Sequence, residues 1–150
     1  MKAVIQRVNF ASVSYNNIIE EISKGIVIFV GIKNDDTEKD IEYLVRKIVN
    51  LRIFENNNKM DKSVLDIDGD VLIVSEFTLY GDCSKGNRPD FTSAAKPESA
   101  EVIYKKFVDE FKKYLPKEKI KTGKFREHML VEIHNDGPVT IILETNGGKI

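Results

Sequence analysis

The chain has 150 residues, of which 41% are hydrophobic and 31% are charged, and its formal net charge is −1. That length allows one domain with a substantial buried core, and the near-neutral charge gives no global electrostatic reason to expect nucleic acid as a partner. The single cysteine excludes an internal disulfide, and the longest apolar stretch, 26–32, is too short to cross a bilayer. Because the N-terminus also lacks a signal-peptide pattern, we expect one cytoplasmic domain over residues 1–150.

The first third of the chain predicts a meander of β-strands. Apolar and polar side chains alternate along 3–15, Asn16-Asn17 is a suitable hairpin turn, and 18–22 is the returning strand. The segment 25–32 (GIVIFVGI) is apolar on both faces, which is typical of a strand at the centre of a sheet.

An amphipathic helix is predicted over 37–50, where Thr37 and Asp40 have the spacing of a capping box. A short strand, 51–54, and a polar, turn-rich segment, 55–69, follow it. Four acidic residues in and beside this segment suggest a calcium loop: Asp61, Asp66, Asp68 and Asp70. Because the spacing and the closing glutamate of an EF-hand are missing, we predict no metal site there.

The segment 71–79 is the strongest predicted strand, apolar at first and then alternating. Alternation places Glu76 and Thr78 on one face, and Ser75, Phe77 and Leu79 on the other. Burial of an unpaired carboxylate is costly, so we expect Glu76 either to reach solvent or to have a function.

After a long polar loop, 81–95, a second helix is predicted to begin at Pro97 and to end before Pro116. Its aromatic residues recur at helical spacing and are predicted to face the core: Tyr104, Phe107, Phe111 and Tyr114. Two strand-like runs, 129–133 and 139–143, then flank Gly137-Pro138, whose simplest interpretation is a hairpin turn.

Charge and side-chain chemistry give few leads to function. The segment 105–126 carries a net charge of +6, which is typical of a solvated helix face and, as an alternative, of a surface that contacts phosphate. A triad of Ser75 (or Thr78), His134 and Asp136 can be written, but no Gly-x-Ser-x-Gly elbow surrounds either hydroxyl. Nothing marks Cys83 as reactive, no third ligand accompanies the two histidines, and no cofactor is predicted.

Two segments, Ser75-Glu76-Phe77-Thr78-Leu79 and Asn135-Asp136-Gly137-Pro138-Val139-Thr140, resemble the two signature motifs of the D-aminoacyl-tRNA deacylase family. The resemblance covers the length of the chain, since further family segments occur in the same order: Ala3 to Val8, Arg52 to Phe54, Gly86 to Phe91 and Thr122 to Phe125. It implies a mixed α/β fold with an antiparallel-rich, barrel-like sheet and two main helices, and a homodimer with active sites at the subunit interface.

In that family a cis Gly-Pro pair enters the active site of the partner subunit and excludes L-aminoacyl groups. Carried over, the resemblance makes Gly137 and Pro138 this filter, with Arg7 supporting it. The catalytic residues would then be Ser75, Phe77 and Thr78, and Glu76, Leu79 and Met129 would contribute to substrate binding.

The implied reaction is hydrolysis of the ester of D-aminoacyl-tRNA, and of mischarged glycyl-tRNA as an open extension. Backbone N–H groups near Phe77 and Thr78 would stabilise the oxyanion, and the RNA 2′-hydroxyl would replace a side-chain base. Thr78 is assigned a positioning role, with covalent nucleophile as the alternative.

Two positions depart from the family pattern. Glu76 stands where the family has Gln, so a carboxylate that accepts replaces an amide that also donates. Arg126-Glu127-His128 stands where the family usually has a small Gly-Ala pair, which changes the expected pocket wall before Met129. The competing predictions are a non-catalytic dimeric RNA-binding module and a dimerising domain without activity.

Overall fold

The computed structural model describes residues 1–149. Within them the chain forms eight β-strands and two α-helices: β1 (Lys2–Tyr15), β2 (Ile18–Ile22), β3 (Gly25–Gly31), α1 (Glu38–Val49), β4 (Phe54–Asn56), β5 (Lys59–Lys62), β6 (Asp70–Ser75), α2 (Pro97–Phe111), β7 (Ile120–Thr122) and β8 (Leu130–Glu144). Two short 3₁₀ helices cover Phe77–Tyr80 and Lys117–Lys119. None of the described helices is long and apolar enough to span a membrane.

The long strand β1 organises the main sheet. It pairs antiparallel with β2 and β3 along one edge and with β8 along the other, so the sheet bends around it. Beyond β3 the order continues through β6 and β7, and both of these pairings are parallel. The result is a nearly closed, barrel-like sheet with two helices, which confirms the expected fold class.

The core divides between two sides of the sheet. The larger cluster lies under α1 and α2, where Ile28 and Leu44 pack with the fully buried rings of Phe107 and Phe111. A smaller cluster on the opposite side includes Val27 and Leu72, with Met129 and Val131 packed against it. Because β3 and β6 contribute to both clusters, their nearly continuous apolar sequences are explained.

The predicted capping box at the start of α1 is confirmed. The buried Asp40 carboxylate accepts hydrogen bonds from the Thr37 N–H (3.0 Å), the Thr37 hydroxyl (2.8 Å) and the Gly148 N–H (2.9 Å). Burial alone would raise the pKa of Asp40, but these hydrogen bonds outweigh it and hold the pKa well below its usual range. The box therefore also attaches the C-terminal segment to the helix.

The segment around 51–69 differs from the prediction. The strand begins only at Phe54 and returns as β5 through an Asn57-Asn58 turn, where both residues have positive φ (51° and 63°). Its acidic residues serve local structure: Asp61 pairs with Arg52 (3.1 Å), and Asp66 accepts the Ser63 N–H (2.8 Å). Over residues 1–149 no three side chains of metal-binding type cluster together.

Two further elements differ from their predictions. The strand predicted to run to Leu79 ends at Ser75, and Tyr114 lies outside α2 with 36% of its surface exposed. The predicted hairpin at the C-terminus is a single strand, β8, because the residues on both sides of Gly137-Pro138 pair with β1. The Gly-Pro pair is therefore an interruption within one strand and not a turn between two.

Candidate functional site

A cavity of about 650 Å³ opens where β6 ends. Its walls come from three places: the chain leaving β6, the loop that leads into the start of α2, and the segment 125–131. The charged and aromatic side chains that line it are Glu76, Phe77, Phe91, Lys96, Phe125, Arg126, Glu127 and His128. Ser75 and Met129 also line it.

The chain reverses direction at the cavity rim because the 3₁₀ helix Phe77–Tyr80 packs against β3. The Glu76 N–H donates to the Val30 carbonyl (2.9 Å), which holds the start of the helix against the sheet. A Cβ at Gly31 would lie 3.1 Å from the Leu79 Cβ and 3.2 Å from the Glu76 carbonyl, so a side chain there would push these groups away by a few tenths of an ångström. The strand alternation expected for 76–79 is thus replaced by a tight turn.

This turn exposes the groups that the sequence assigned to catalysis. Phe77 is 58% exposed, and Thr78 is also exposed. No backbone hydrogen bond outside the strands and helices of residues 1–149 uses the N–H of Phe77 or of Thr78. Two N–H groups at the first positions of a helix are therefore free to bind a negatively charged oxygen.

Glu76 is half-buried, and its carboxylate accepts a hydrogen bond from the Thr78 hydroxyl. We expected Glu76 either to reach solvent or to have a function, and the first of these is confirmed. Thr78 and Leu79, by contrast, do not line the cavity within one chain. Thr78 lies on its outer rim, with a hydroxyl whose proton is directed to Glu76.

The loop 81–95 folds against this rim. Asp82 and Asp90 exchange backbone hydrogen bonds of 2.8 Å in each direction, which closes the loop on itself. Its Phe91 ring packs edge-on against Phe77, with 5.0 Å between the ring centroids. The loop thus supplies one wall of the cavity and supports the exposed aromatic side chain.

The Gly137-Pro138 segment forms a wide bulge in β8. Gln6 pairs with Thr140 and Val8 pairs with Asn135, so residues 136–139 all lie opposite Arg7. The Gly137-Pro138 peptide bond is cis, as the resemblance implied.

Side chains of the same chain hold this bulge in place. Arg7 Nε donates to the Asp136 carbonyl (3.0 Å) and lies 3.3 Å from the Asp136 carboxylate, while Nη1 donates to the Ile53 carbonyl (2.6 Å). The Asn135 side-chain oxygen accepts the Val139 N–H (3.0 Å). The supporting contact predicted for Arg7 is present.

Gly137 and Pro138 are both exposed, and neither lines the cavity of its own chain. The two motifs that the sequence singled out are therefore separate features within one subunit.

The Ser-His-Asp alternative is wrong. Ser75 lines the cavity, whereas His134 Nε2 lies 2.9 Å from Glu132 and its ring stacks against Phe10, with centroids 5.2 Å apart. Asp136 is engaged by Arg7. These three residues do not form a proton relay.

Sequence reasoning missed part of the cavity wall, namely Phe91, Lys96 and Phe125. A long loop followed by Pro97 was the available signal for the first two, but only the fold shows that the loop closes over β6.

Comparison with known proteins adds a match to the family model described as D-Tyr-tRNA(Tyr) deacylase, over residues 4–144. Proteins named D-aminoacyl-tRNA deacylase from Thermosipho melanesiensis and Thermodesulfovibrio yellowstonii are 51% and 53% identical to this chain. Each alignment covers 97% of this chain, with 97% of the first relative and 99% of the second.

Two solved structures share the fold. One, titled c-Myc DNA Unwinding Element Binding Protein, has a TM-score of 0.92 and 46% identity, and covers 98% of this chain and 100% of its own. The other, a probable eukaryotic D-amino acid tRNA deacylase, has a TM-score of 0.81 at 16% identity and covers 95% of this chain and 97% of its own. The second likeness concerns the fold alone.

Proposed function

Because this chain belongs to the D-aminoacyl-tRNA deacylase family and is therefore a hydrolase, we propose that it cleaves the ester of D-aminoacyl-tRNA in the cavity at the end of β6. The observation that carries the proposal is the rim of that cavity. There the exposed Phe77 ring lines a space of about 650 Å³, and the unused N–H groups of Phe77 and Thr78 lie at the start of the same 3₁₀ helix. Such a space lies within the usual range for small-molecule sites, and it suits an aminoacylated nucleoside.

Binding of the RNA end follows from the aromatic side chains. An unpaired terminal adenine stacks well on an exposed aromatic ring, and Phe77 is held for that purpose by Phe91. The apolar remainder of the wall, including Met129 and Val131, receives the amino-acid side chain.

Ester hydrolysis needs an oxyanion site and a water molecule delivered to the carbonyl carbon. The free N–H groups of Phe77 and Thr78 supply the first, and each such donor is typically worth about 2.7–4 kcal/mol. Thr78 has a positioning role, in which its hydroxyl donates to Glu76. The terminal 2′-hydroxyl of the RNA takes the place of a side-chain base, which accounts for a site without a triad.

Stereochemical selection requires a second subunit. The bulge at Gly137-Pro138 is exposed and braced but lies outside its own cavity, so it serves the cavity of a partner in a homodimer. A wall of backbone atoms there rejects an L side chain by collision and leaves room for a D side chain. The resulting role is proofreading of aminoacyl-tRNA in the cytoplasm.

The alternative, a non-catalytic RNA-binding module that uses the basic segment 105–126, is disfavoured by its ion pairs. Six of the nine cations in this segment lie within 4.0 Å of a carboxylate: Lys105, Lys106, Lys112, Lys113, Lys119 and Lys121. A surface neutralised in this way attracts phosphate only weakly.

The proposal is tested by steady-state hydrolysis of a D-aminoacyl-tRNA beside its L counterpart. We expect kcat/KM to favour the D substrate by at least about 100-fold, which corresponds to about 2.7 kcal/mol of discrimination. Equal turnover of both substrates would contradict the filter, and salt-dependent tRNA binding without turnover would favour the binding module.

A further inference from the structure

Arg126 stands out among the residues that line the cavity because of its backbone. Its φ is +64°, a left-handed conformation that side-chain-bearing residues seldom adopt. The side chain is exposed at the cavity and belongs to the wall opposite the 3₁₀ helix Phe77–Tyr80. Unfavourable backbone conformations persist where the surrounding structure fixes them, and they concentrate at functional sites.

The structure that fixes Arg126 is a tight turn between β7 and β8. The Gly123 N–H donates to the Ile73 carbonyl (3.0 Å), and the Glu127 N–H donates to the Lys124 carbonyl (3.3 Å). A Cβ at Gly123 would lie 2.6 Å from the Met129 sulfur, so both ends of the turn pack closely. The turn is anchored to β6 and carries Arg126 near its tip.

The charge of Arg126 also bears on its role. Within residues 1–149 it takes part in no ion pair, and the same is true of Lys96 on the cavity wall and of Lys124 beside it. Two carboxylates also line the cavity, Glu76 and Glu127, and Glu76 accepts a hydrogen bond from the Thr78 hydroxyl. Whereas the cations along 105–121 are mostly neutralised, those at the cavity keep their charge available.

We propose that Arg126 binds the phosphodiester group next to the terminal nucleoside of the RNA substrate, and this rests on the function proposed above. A guanidinium group presents two parallel N–H donors to a phosphate, and this geometry suits a single-stranded RNA end better than the point charge of lysine. When the terminal base stacks on Phe77, the RNA strand has to run out of the cavity past the charged residues of the cavity wall. Arg126 is thus a binding residue for the strand, and Lys96 adds positive charge at the same opening.

The first experiment measures binding without catalysis. An unacylated RNA oligonucleotide ending in the tRNA 3′ sequence is titrated with wild type and with Arg126→Gln at several salt concentrations. We expect Arg126→Gln to raise the Kd about tenfold and to reduce the slope of log Kd against log salt by about 0.7, the value for one single-strand phosphate contact. Arg46→Gln is the matched control, since Arg46 is an exposed arginine on α1 outside the cavity.

The second experiment compares two substrates, D-aminoacyl-tRNA and a D-aminoacyl-adenosine that has no phosphate. For Arg126→Gln the ratio of kcat/KM between the tRNA and the nucleoside ester should fall about tenfold, mainly through KM for tRNA. For Arg126→Lys this ratio should lie between the values for wild type and for Arg126→Gln. Equal losses on both substrates would assign Arg126 to the wall of the cavity only and would overturn the proposal.

Arg126→Gly separates binding from stability. Glycine accepts positive φ, so the thermal midpoint should stay the same or rise by up to about 4 °C while the oligonucleotide binds more weakly. A variant that is more stable but binds RNA as tightly as wild type would contradict the proposal. The binding titration needs no turnover. If wild type showed no stereoselective hydrolysis, the proposed function would be wrong, but the titration would still decide whether Arg126 binds the RNA end.

Discussion

The Thr78 hydroxyl donates to Glu76, so two residues that both lie in the first signature motif act as a pair. Thr78 sits beside the free N–H groups, and a hydroxyl with its proton committed to a carboxylate directs its lone pairs outward. In the proposed mechanism, those lone pairs orient a water molecule or the RNA 2′-hydroxyl near the ester carbon.

Glu76→Gln should retain or slightly improve activity, because the amide oxygen also accepts the Thr78 hydroxyl and the substitution removes a negative charge near an anionic RNA end. Glu76→Ala should lower kcat about tenfold, as expected for loss of one hydrogen bond of about 1.5 kcal/mol that positions Thr78. Single-turnover rates with saturating D-aminoacyl-tRNA measure both. Equal losses in the two variants would show that the carboxylate itself is used, and a trapped acyl-Thr78 ester would replace positioning by covalent catalysis.

The sequence pattern predicted that Glu76 is out of place and that it shares a face with Thr78, but not the turn that joins them. A strand pleat would have brought Glu76 and Thr78 to one face, and the structure brings them together by a 3₁₀ turn instead. The turn depends on the close approach of Gly31 to Leu79, a tertiary contact that local alternation of residue types does not encode. The backbone of Arg126 was unpredictable for the same reason, since the turn imposes its φ.

At the scale of elements, β8 shows why a hairpin was the natural but wrong prediction. Asn, Asp, Gly and Pro are favoured in turns, and alternating runs flank them. Whether the second run pairs with the first or continues along another strand depends on a partner more than 120 positions away, because Thr140 lies opposite Gln6. The helix α1, in contrast, was predicted almost to the residue because its capping and its core face are local.

Gly137→Ala tests the bulge in β8. A Cβ there would lie 2.9 Å from Arg7 Nη2 and 2.9 Å from the Val139 side chain, at a φ of +127° that alanine rarely adopts. The bulge must shift, so the preference of kcat/KM for D over L substrate should fall at least about tenfold.

Gly147→Ala is the control for this substitution, because Gly147 also has positive φ (63°) but meets no atom within 4 Å. If both variants kept the selectivity of wild type, the bulge would not be the filter.

At the scale of the molecule, one edge of β8 is paired with β1 and the residues facing outward from it include exposed apolar side chains. Leu130 is 72% exposed and Ile142 is 66% exposed, on opposite sides of the Gly-Pro bulge. Exposed apolar side chains beside an unpaired strand edge are typical of an interface between subunits. We propose that the contact of the proposed homodimer lies along this strand, since it would carry the bulge to the partner.

Ile142→Glu should therefore convert a dimer of twice 17.1 kDa into a monomer of 17.1 kDa. It should also abolish deacylation, and both changes should depend on protein concentration in the same way. The control is Ile19→Glu, which changes an equally exposed isoleucine (66%) on β2, at the other edge of β1. Sedimentation velocity together with initial rates measures both properties. An active monomer would rule out a filter supplied by the partner.

The pairing of β1 with β8 also limits how early the protein can fold during synthesis. Lys2 lies opposite Glu144, so β1 leaves the ribosome long before β8, and its edge from Lys2 to Ser14 stays uncovered until β8 has been made. Contacts so distant in sequence close slowly, and an open strand edge is prone to pair with other chains in the meantime. The bulge does not exist until β8 has been made, so a nascent chain without β8 lacks the bulge and has an exposed strand edge.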